Sequence, residues 1–191
     1  MKDKMLQRSN RVCFILNDNG ADLFHNSKFI LNKLIEVFSP TFCAVIKHDK
    51  DIDDEINQLK TIHYHVVMCC YSNMILQSYL FMICKTFHCN ENQITIEKCG
   101  DIVMSTQYLI HQNDLDKYQY YPFDIESNDT KVLHAYLSKI VKINTTEEAV
   151  ALYDRFDGNI RSLMKNLSKK VYKDWRIFFQ DLERFDNKRR W

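Results

Sequence analysis

Several features that would place a protein in an easily recognised class are missing from this 191-residue sequence. No apolar run approaches the roughly 18 residues that a membrane-spanning helix requires. The first residues, Met1-Lys2-Asp3-Lys4, lack the apolar core of a signal peptide. The formal net charge is only +1, so no overall excess of basic residues points to a polyanionic partner. These absences predict a cytoplasmic protein with no membrane partner.

The seven cysteines show no pairing pattern, and their odd number leaves at least one unpaired. Without a secretory signal, we expect reduced thiols, as in other cytosolic proteins. Cys84, His88, Cys89 and Cys99 are metal-ligating types, but they lack the paired Cys-x2–4-Cys spacing of structural zinc sites. We therefore interpret these cysteines as ordinary buried or surface thiols.

Hydrophobic periodicity predicts a mixed fold in the first two thirds of the chain. The predicted order is β-α-β-β-α-β-α, which favours the α+β class with a ferredoxin-like (split βαβ) antiparallel sheet and helices on one face. The predicted strands cover 11–17, 42–47, 62–69 and 93–98, and the helices cover 24–38, 73–87 and 102–111.

The C-terminal third contains only helical patterns from about residue 129. Thr145 and Glu148 form a capping box, and Asp157-Gly158-Asn159 separates two short helices at 147–156 and 160–167. This pair is either a DNA-reading helix-turn-helix or an ordinary packing hairpin. With Pro122, the segment 121–128 is the predicted linker. The expected division is therefore a domain at 1–125 and a helical C-terminal region at 126–191.

The strongest chemical signal is His63-Tyr64-His65, which lies in a segment rich in β-branched and aromatic residues. Side chains two apart on a strand point to the same face, so His63 and His65 should present two imidazoles together and Tyr64 should face the other way. A single strand histidine is more often an ordinary hydrogen-bonded residue than a ligand. The pair favours a metal site.

His48 and Asp51 supply the remaining donors of this predicted metal site. They follow the second predicted strand, which should pair antiparallel with the third and bring them near His63 and His65. Three imidazoles and one carboxylate suit Mn²⁺, Mg²⁺, Zn²⁺, Ni²⁺ or Co²⁺ and leave coordination positions open.

Calcium is the alternative that the acidic loop 49–55 suggests. An EF-hand loop that began at Asp49 would need glycine at its sixth position and glutamate at its twelfth, where Asp54 and Lys60 stand. The calcium motif therefore fails, and we interpret the other acidic side chains as solvated.

Three short motifs in a fixed order resemble a known family. They are His48-Asp49-Lys50-Asp51, His63-Tyr64-His65 and Tyr108-Leu109-x-His111. Together they resemble the rolling-circle plasmid replication initiators of the HUH endonuclease superfamily, most closely the single-tyrosine Rep proteins of small Gram-positive plasmids. The resemblance covers roughly residues 10–121 of this chain.

The resemblance implies an enzyme that nicks and rejoins one DNA strand at a specific site and so initiates rolling-circle plasmid replication. It implies that His48, Asp51, His63 and His65 bind a divalent ion, Mn²⁺ or Mg²⁺. It also implies that Tyr108 is the nucleophile, which forms a 5′-phosphotyrosine intermediate by nucleophilic catalysis. Without the resemblance, Tyr108 would be read as a residue of an amphipathic helix that packs on the sheet.

Other residues near the third motif leave alternatives open. Tyr118, Tyr120 and Tyr121 are rival nucleophiles, stacking partners for single-stranded DNA bases, or simple packing residues. His111 lies one helical turn beyond Tyr108, on the same helix face, and either assists proton transfer or packs.

The expected partners are single-stranded or hairpin origin DNA and host replication proteins. Residues 161–191 carry ten basic and four acidic side chains, which suit either phosphate contacts or a solvated helix face. In related initiators this region supports oligomerisation or origin binding, and here Phe178, Phe179, Leu182 and Phe185 motivate the same hypothesis. Alternative functions are an HUH relaxase or transposase, a zinc hydrolase, and a non-catalytic DNA-binding regulator.

Overall fold

The computed structural model describes residues 2–18, 24–53, 58–114, 116–139, 143, 145–156, 159–167 and 169–189. Acidic residues Asp54 and Glu55 and the helix-breaking pair Asp157-Gly158 lie outside these ranges.

The chain divides into two compact units, Met1–Leu137 and Ser138–Trp191. The strands are β1 (Arg8–Asn17), β2 (Phe42–His48), β3 (Ile52–Asp53), β4 (Gln58–Leu59), β5 (His63–Ile75), β6 (Ile94–Lys98) and β7 (Glu126–Ser127). The helices are α1 (Lys2–Met5), α2 (Ser27–Phe38), α3 (Leu76–Phe87), α4 (Ile102–Tyr108), α5 (Thr130–Leu137), α6 (Thr146–Arg155), α7 (Ile160–Asn166) and α8 (Lys169–Arg189).

Five strands form one antiparallel sheet in the order β6-β1-β5-β2-β7. The two strands connected through α2, β1 and β2, lie on either side of β5, which is the split βαβ arrangement. The predicted α+β class and antiparallel sheet are therefore confirmed. The short strands β3 and β4 form a separate ribbon.

One face of the sheet packs against α2 and α3. Alternate residues of each strand face this side, as the pleat of a strand requires. The buried residues of this cluster include Val12, Phe14, Leu16, Val45, Tyr64, Val66 and Met68 from the strands and Ile30, Leu31, Leu34, Leu76, Leu80 and Ile83 from the helices. This face holds the larger core of the first unit.

The opposite face of the sheet is also partly covered, whereas the sequence placed helices on one face only. Phe42, Ala44 and Ile46 of β2 pack there against residues that follow α4 and against Leu133 of α5. The buried covering residues include Leu109, Ile110 and Ile125, so this face contributes a second, smaller core. The part of the face near the start of β5 holds the candidate site.

The predicted linker at 121–128 is wrong, because this segment completes the sheet. Glu126 pairs with Val45 and Ser127 with Ala44. The side chain of Asn128 accepts a hydrogen bond from the backbone N–H of Cys43 and donates one to the carbonyl of Pro40. The first compact unit thus extends through α5 to Leu137, beyond the boundary expected at residue 125.

The helix predicted to reach His111 ends at Tyr108. Its N-terminus agrees with the sequence, because the Asp101 side chain accepts hydrogen bonds from the backbone N–H groups of Val103 and Met104. After Tyr108 the chain turns, and His111 adopts a left-handed backbone conformation with φ of 55°.

The second unit contains α6, α7 and α8 around its own core. The predicted cap is confirmed, because the Thr145 side chain accepts a hydrogen bond from the N–H of Glu148. Phe179 is buried in this core, and Phe178 and Leu182 pack against it, so three residues that motivated oligomerisation are used inside the unit. The side chain of Phe185 lies outside the described residues. Among the described helices, none combines the length and hydropathy needed to cross a membrane.

Replacing Leu34 with alanine should lower the free energy of unfolding of the first unit by about 2–5 kcal/mol, because it leaves a cavity in the larger core. Leu34 is fully buried, whereas its neighbour Ile35 is 37% exposed. The Ile35→Ala variant is therefore the matched control and should change the free energy by no more than about 0.5 kcal/mol. Hydrogen exchange of the β5 amides measures both effects, and equal losses would contradict the packing described here.

Candidate metal centre

Sheet register brings three histidines together on the face opposite the larger core. His48, the last residue of β2, is directly opposite His63, the first residue of β5. His65 lies two residues further along β5 and points to the same side. The ring centroid of His48 is 5.5 Å from that of His63 and 4.3 Å from that of His65. Tyr64 points the other way and is buried in the larger core, as strand alternation predicts.

Asp51 reaches this cluster from the loop that follows β2. One candidate ligand atom from each of His48, Asp51, His63 and His65 lies within 4.8 Å of the others. The structure therefore brings together the four residues that the sequence predicted as metal ligands. Their nitrogen and carboxylate oxygen donors match those of Mn²⁺ and other divalent transition-metal sites.

Backbone carbonyls fix which nitrogen of His48 and of His63 is available to a metal. Nε2 of His48 lies 2.7 Å from the carbonyl oxygen of Leu109, and Nδ1 of His63 lies 2.8 Å from that of Thr61. A carbonyl only accepts, so each of these nitrogens carries the proton and donates. Nδ1 of His48 and Nε2 of His63 are left to face the cluster. This arrangement, in which the second nitrogen orients the ring, is the usual one for metal-binding histidines.

Both of these free nitrogens face the same carboxylate oxygen. Oδ2 of Asp51 lies 3.1 Å from Nδ1 of His48 and 3.4 Å from Nε2 of His63. Lone pairs on three atoms would repel one another at these distances, so a positive charge is needed between them. A metal ion, or protons on the rings, supplies it. The donor set thus fits a divalent cation.

Burial by itself raises the pKa of Asp51, but hydrogen bonds that the protonated rings of His48 and His63 donate to the carboxylate outweigh it and hold the pKa well below the usual range. The carboxylate is therefore ionised at neutral pH. Burial, reinforced by the nearby His48 and His63, lowers the pKa of His65 well below its usual value. A neutral imidazole and an ionised carboxylate are the forms that bind a metal.

Tyr120 supports the centre in a way that the sequence did not reveal. Its ring stacks on His48 with centroids 4.3 Å apart and planes 5° apart. Its hydroxyl donates to Oδ1 of Asp51 at 3.2 Å and accepts from the backbone N–H of Lys50 at 2.9 Å. Burial raises the pKa of Tyr120. A buried phenol that is engaged by two partners is a positioning residue rather than an accessible nucleophile.

Tyr108 ends α4 beside the cluster and is 41% exposed. The centroid of its ring lies 5.8 Å from that of His65 and 5.2 Å from that of His111. Its hydroxyl accepts a hydrogen bond from Nζ of Lys117 at 2.8 Å. The structure thus brings the predicted nucleophile next to the predicted metal ligands while leaving its side chain reachable from solvent.

His111 and the other two tyrosines of this region differ in their surroundings. His111 is buried, and its Nδ1 donates to the carbonyl of Tyr118 at 2.7 Å. Tyr118 accepts a hydrogen bond from the Lys50 ammonium. Tyr121 is 57% exposed and stacks on Phe123, with ring planes 5° apart. The exposed phenols of Tyr118 and Tyr121 remain the chemical rivals of Tyr108.

Two concave surfaces meet at Tyr108. A groove of about 450 Å³ runs over the sheet between β1, β6 and α4, and Ile15, His65, Thr95 and Tyr108 are among its lining residues. A cleft of about 170 Å³ opens directly over the cluster, and Asp51, His63, Lys60 and Lys117 are among its lining residues. An extended ligand in the groove would therefore pass the phenol and the cluster together.

Comparison with known families gives a match over the part of the chain that carries this centre. Residues 4–133 match the family described as plasmid replication protein, origin binding domain. The chain belongs to this family. The match supports DNA binding and a role in plasmid replication initiation for this origin binding domain. Among curated proteins, no significant match to the chain was found.

The origin binding domain contains functional residues that the sequence signalled only weakly. Tyr120 was left as a nucleophile, a base-stacking residue or a packing residue, and in the structure it stacks on His48 and donates to Asp51. Lys117 was not identified at all. Both follow the third motif in a polar segment without regular periodicity, so the only available signal was the density of tyrosines after His111.

Removal of a predicted ligand should abolish tight metal binding by this origin binding domain. His65→Ala and His63→Ala should each lower the Mn²⁺ affinity by more than about 100-fold. Loss of a residue that only orients a metal ligand typically costs about 10–100-fold, and these residues are proposed to bind the metal directly. Isothermal titration with MnCl₂ measures the affinity, and His134→Ala, at an exposed position of α5, is the control. Unchanged Mn²⁺ affinity in both ligand variants would contradict the assignment of the centre.

Loss of the Tyr120 hydroxyl should weaken Mn²⁺ binding by about 10–100-fold, because Asp51 loses a partner that orients it. The Tyr120→Phe variant keeps the ring that stacks on His48, so the change isolates the hydrogen bond. Tyr121→Phe is the matched control. If Tyr120→Phe bound Mn²⁺ as tightly as the unaltered protein, the hydroxyl would have no role in positioning Asp51.

Proposed function

We propose that this protein is a metal-dependent endonuclease of the HUH type, which nicks and rejoins one strand of plasmid origin DNA and so initiates rolling-circle replication. One observation carries the proposal. In a chain of the origin binding domain family, Tyr108 is exposed beside a group of three imidazoles and one carboxylate.

The proposed chemistry assigns separate roles to the cluster and the phenol. His48, Asp51, His63 and His65 would hold a divalent cation, Mn²⁺ or Mg²⁺. When bound, such a cation neutralises charge on the non-bridging oxygens of a phosphodiester as a Lewis acid. Tyr108 loses its proton to solvent, and its oxygen attacks the phosphorus. The bond from phosphorus to the 3′ oxygen breaks, and that oxygen takes a proton from solvent.

The products are a 5′-phosphotyrosine and a free 3′-OH, which is able to prime DNA synthesis. One phosphodiester has been exchanged for another, so no external energy source is required for rejoining. This reversibility suits an enzyme that opens an origin and later closes the strand. A hydrolase with the same ligands would instead transfer the phosphoryl group to water and leave no protein–DNA adduct.

The surface features around Tyr108 support a single DNA strand as the substrate. The groove along the sheet has a volume of about 450 Å³ and is lined mainly by apolar residues such as Ile15, Val67 and Met104, which suits unpaired bases. Exposed Tyr118, Tyr121 and Phe123 lie in the segment after Tyr108, and aromatic side chains stack on the bases of single strands. Single-stranded or hairpin origin DNA is therefore the proposed partner, with host replication proteins acting on the product.

The second compact unit is proposed to contribute origin binding or self-association. Its α8 carries much of the basic charge of residues 161–191, and basic helices contact phosphates. The helices α6 and α7 match the pair whose bounds the sequence predicted, and their use as a DNA-reading helix-turn-helix stays a prediction.

Substitution of Tyr108 by phenylalanine should abolish covalent attachment to DNA, because it removes the oxygen that attacks phosphorus and leaves the ring in place. The protein is incubated with Mn²⁺ and a library of single-stranded DNA of random sequence, then denatured and recovered with any attached strand. Sequencing identifies the captured site, and mass spectrometry identifies the linked residue. Tyr118→Phe and Tyr121→Phe test the rival phenols and should retain the adduct. An adduct on the Tyr108→Phe variant would exclude this nucleophile.

A further inference from the structure

The ammonium group of Lys117 lies against the oxygen that the proposed reaction uses. Nζ of Lys117 donates to the Tyr108 hydroxyl at 2.8 Å and lies 4.9 Å from the centroid of the same ring. Lys117 also forms an ion pair with Asp114, whose Oδ2 is 3.0 Å from Nζ. Because Nζ donates, the hydrogen of the Tyr108 hydroxyl must point away from the ammonium group.

Several contacts hold Lys117 in this position. His111 donates to the carbonyl of Tyr118, the next residue. The Gln119 side chain donates to the carbonyls of Asp114 and Lys117, both at 2.8 Å. These bonds fix the backbone around Lys117 relative to the turn after α4. The hydrogen bond to Tyr108 raises the pKa of Lys117, so the side chain is a stable cation at neutral pH.

We propose that Lys117 is a further catalytic residue, whose ammonium group stabilises the negative charge that develops on the Tyr108 oxygen in the nicking and joining reaction. This inference rests on the proposed function. It assigns separate roles to two positive charges. A divalent cation would act on the phosphate, and Lys117 acts on the attacking oxygen.

The proposed step balances as follows in the forward direction. The Tyr108 hydroxyl releases its proton to solvent, on the side away from Lys117, and its oxygen carries negative charge as it approaches phosphorus. The phosphorus–oxygen bond to Tyr108 forms while the bond to the 3′ oxygen breaks, and the 3′ oxygen takes a proton from solvent. Lys117 keeps all its protons and donates one hydrogen bond throughout.

In the joining direction the 3′-OH attacks, and the Tyr108 oxygen is the leaving group. Negative charge develops on the same atom, so the same ammonium group stabilises it. Removal of Lys117 should therefore slow nicking and joining by similar factors and leave the ratio of nicked to joined strand unchanged. A lysine that only bound DNA phosphates would change the affinity instead.

The control is a lysine far from the site. Lys85 is exposed on α3, which packs against the opposite face of the sheet. Lys85→Met therefore removes a cation of the same kind without touching Tyr108 or the metal centre.

The test compares Lys117→Met, Lys117→Arg and Lys85→Met in the full chain. The substrate is a single-stranded oligonucleotide that carries the sequence captured by the unaltered protein. Single-turnover nicking and joining rates are measured with Mn²⁺, and DNA affinity is measured by fluorescence anisotropy without metal. Circular dichroism confirms that each variant is folded.

Lys117→Met should slow both directions by about 10²-fold, the effect typical of losing one donor to a developing oxyanion. DNA affinity should stay within twofold. Lys117→Arg should recover part of the rate, because it keeps the charge but not the shape of the donor. Lys85→Met should nick at the rate of the unaltered protein.

Three results would overturn the inference while leaving the proposed function intact. They are an unchanged rate in Lys117→Met, a faster rate in that variant, which would show that Lys117 restrains Tyr108, and a loss confined to DNA affinity. Absence of any cleavage or adduct in the unaltered protein would overturn the proposed function and this inference together.

Discussion

One carboxylate that faces two imidazole nitrogens is the constraint on which the arrangement of the site depends. Oδ2 of Asp51 lies within 3.4 Å of Nδ1 of His48 and of Nε2 of His63. Each of these nitrogens carries a proton only when its ring is charged. The protein maintains this contact by using the far side of each ring to hold a backbone carbonyl. Tyr120 then closes the site from above the His48 ring. Donors that the fold holds this close together are already oriented for a divalent cation.

Much of this centre could be predicted from the sequence because it depends on strand geometry. The alternation of residues in β5 separates His63 and His65 from Tyr64 whatever the rest of the fold does. The antiparallel pairing of β2 with β5 then places His48 opposite His63. Asp51 could be predicted only as a neighbour in the sequence, because its exact direction depends on the turn after β2. The α+β class followed from the order of strands and helices for the same reason, since that order restricts the topology to a few choices.

The parts that sequence reasoning missed depend on contacts between distant segments without periodicity. Tyr120 stacks on His48 across more than seventy residues of chain, and no local pattern encodes such a pairing. The segment at 121–128 resembled a linker because of Pro122 and its polar residues, yet Asn128 is hydrogen bonded to the backbone of Pro40 and Cys43. A short edge strand of two residues is too brief for an alternation signal. The end of α4 was misplaced because His111 takes a conformation that is rare for residues other than glycine.

The pairing of β7 with β2 has a consequence for how this protein can be divided. A fragment that stopped at residue 125 would lack the strand that covers the outer edge of β2 and the helix whose Leu133 packs beneath it. The exposed N–H and carbonyl groups of β2 would then be open to strands from other molecules, and such edges promote aggregation. Any shortened form that is meant to keep the candidate metal centre in a soluble fragment should therefore end beyond Leu137.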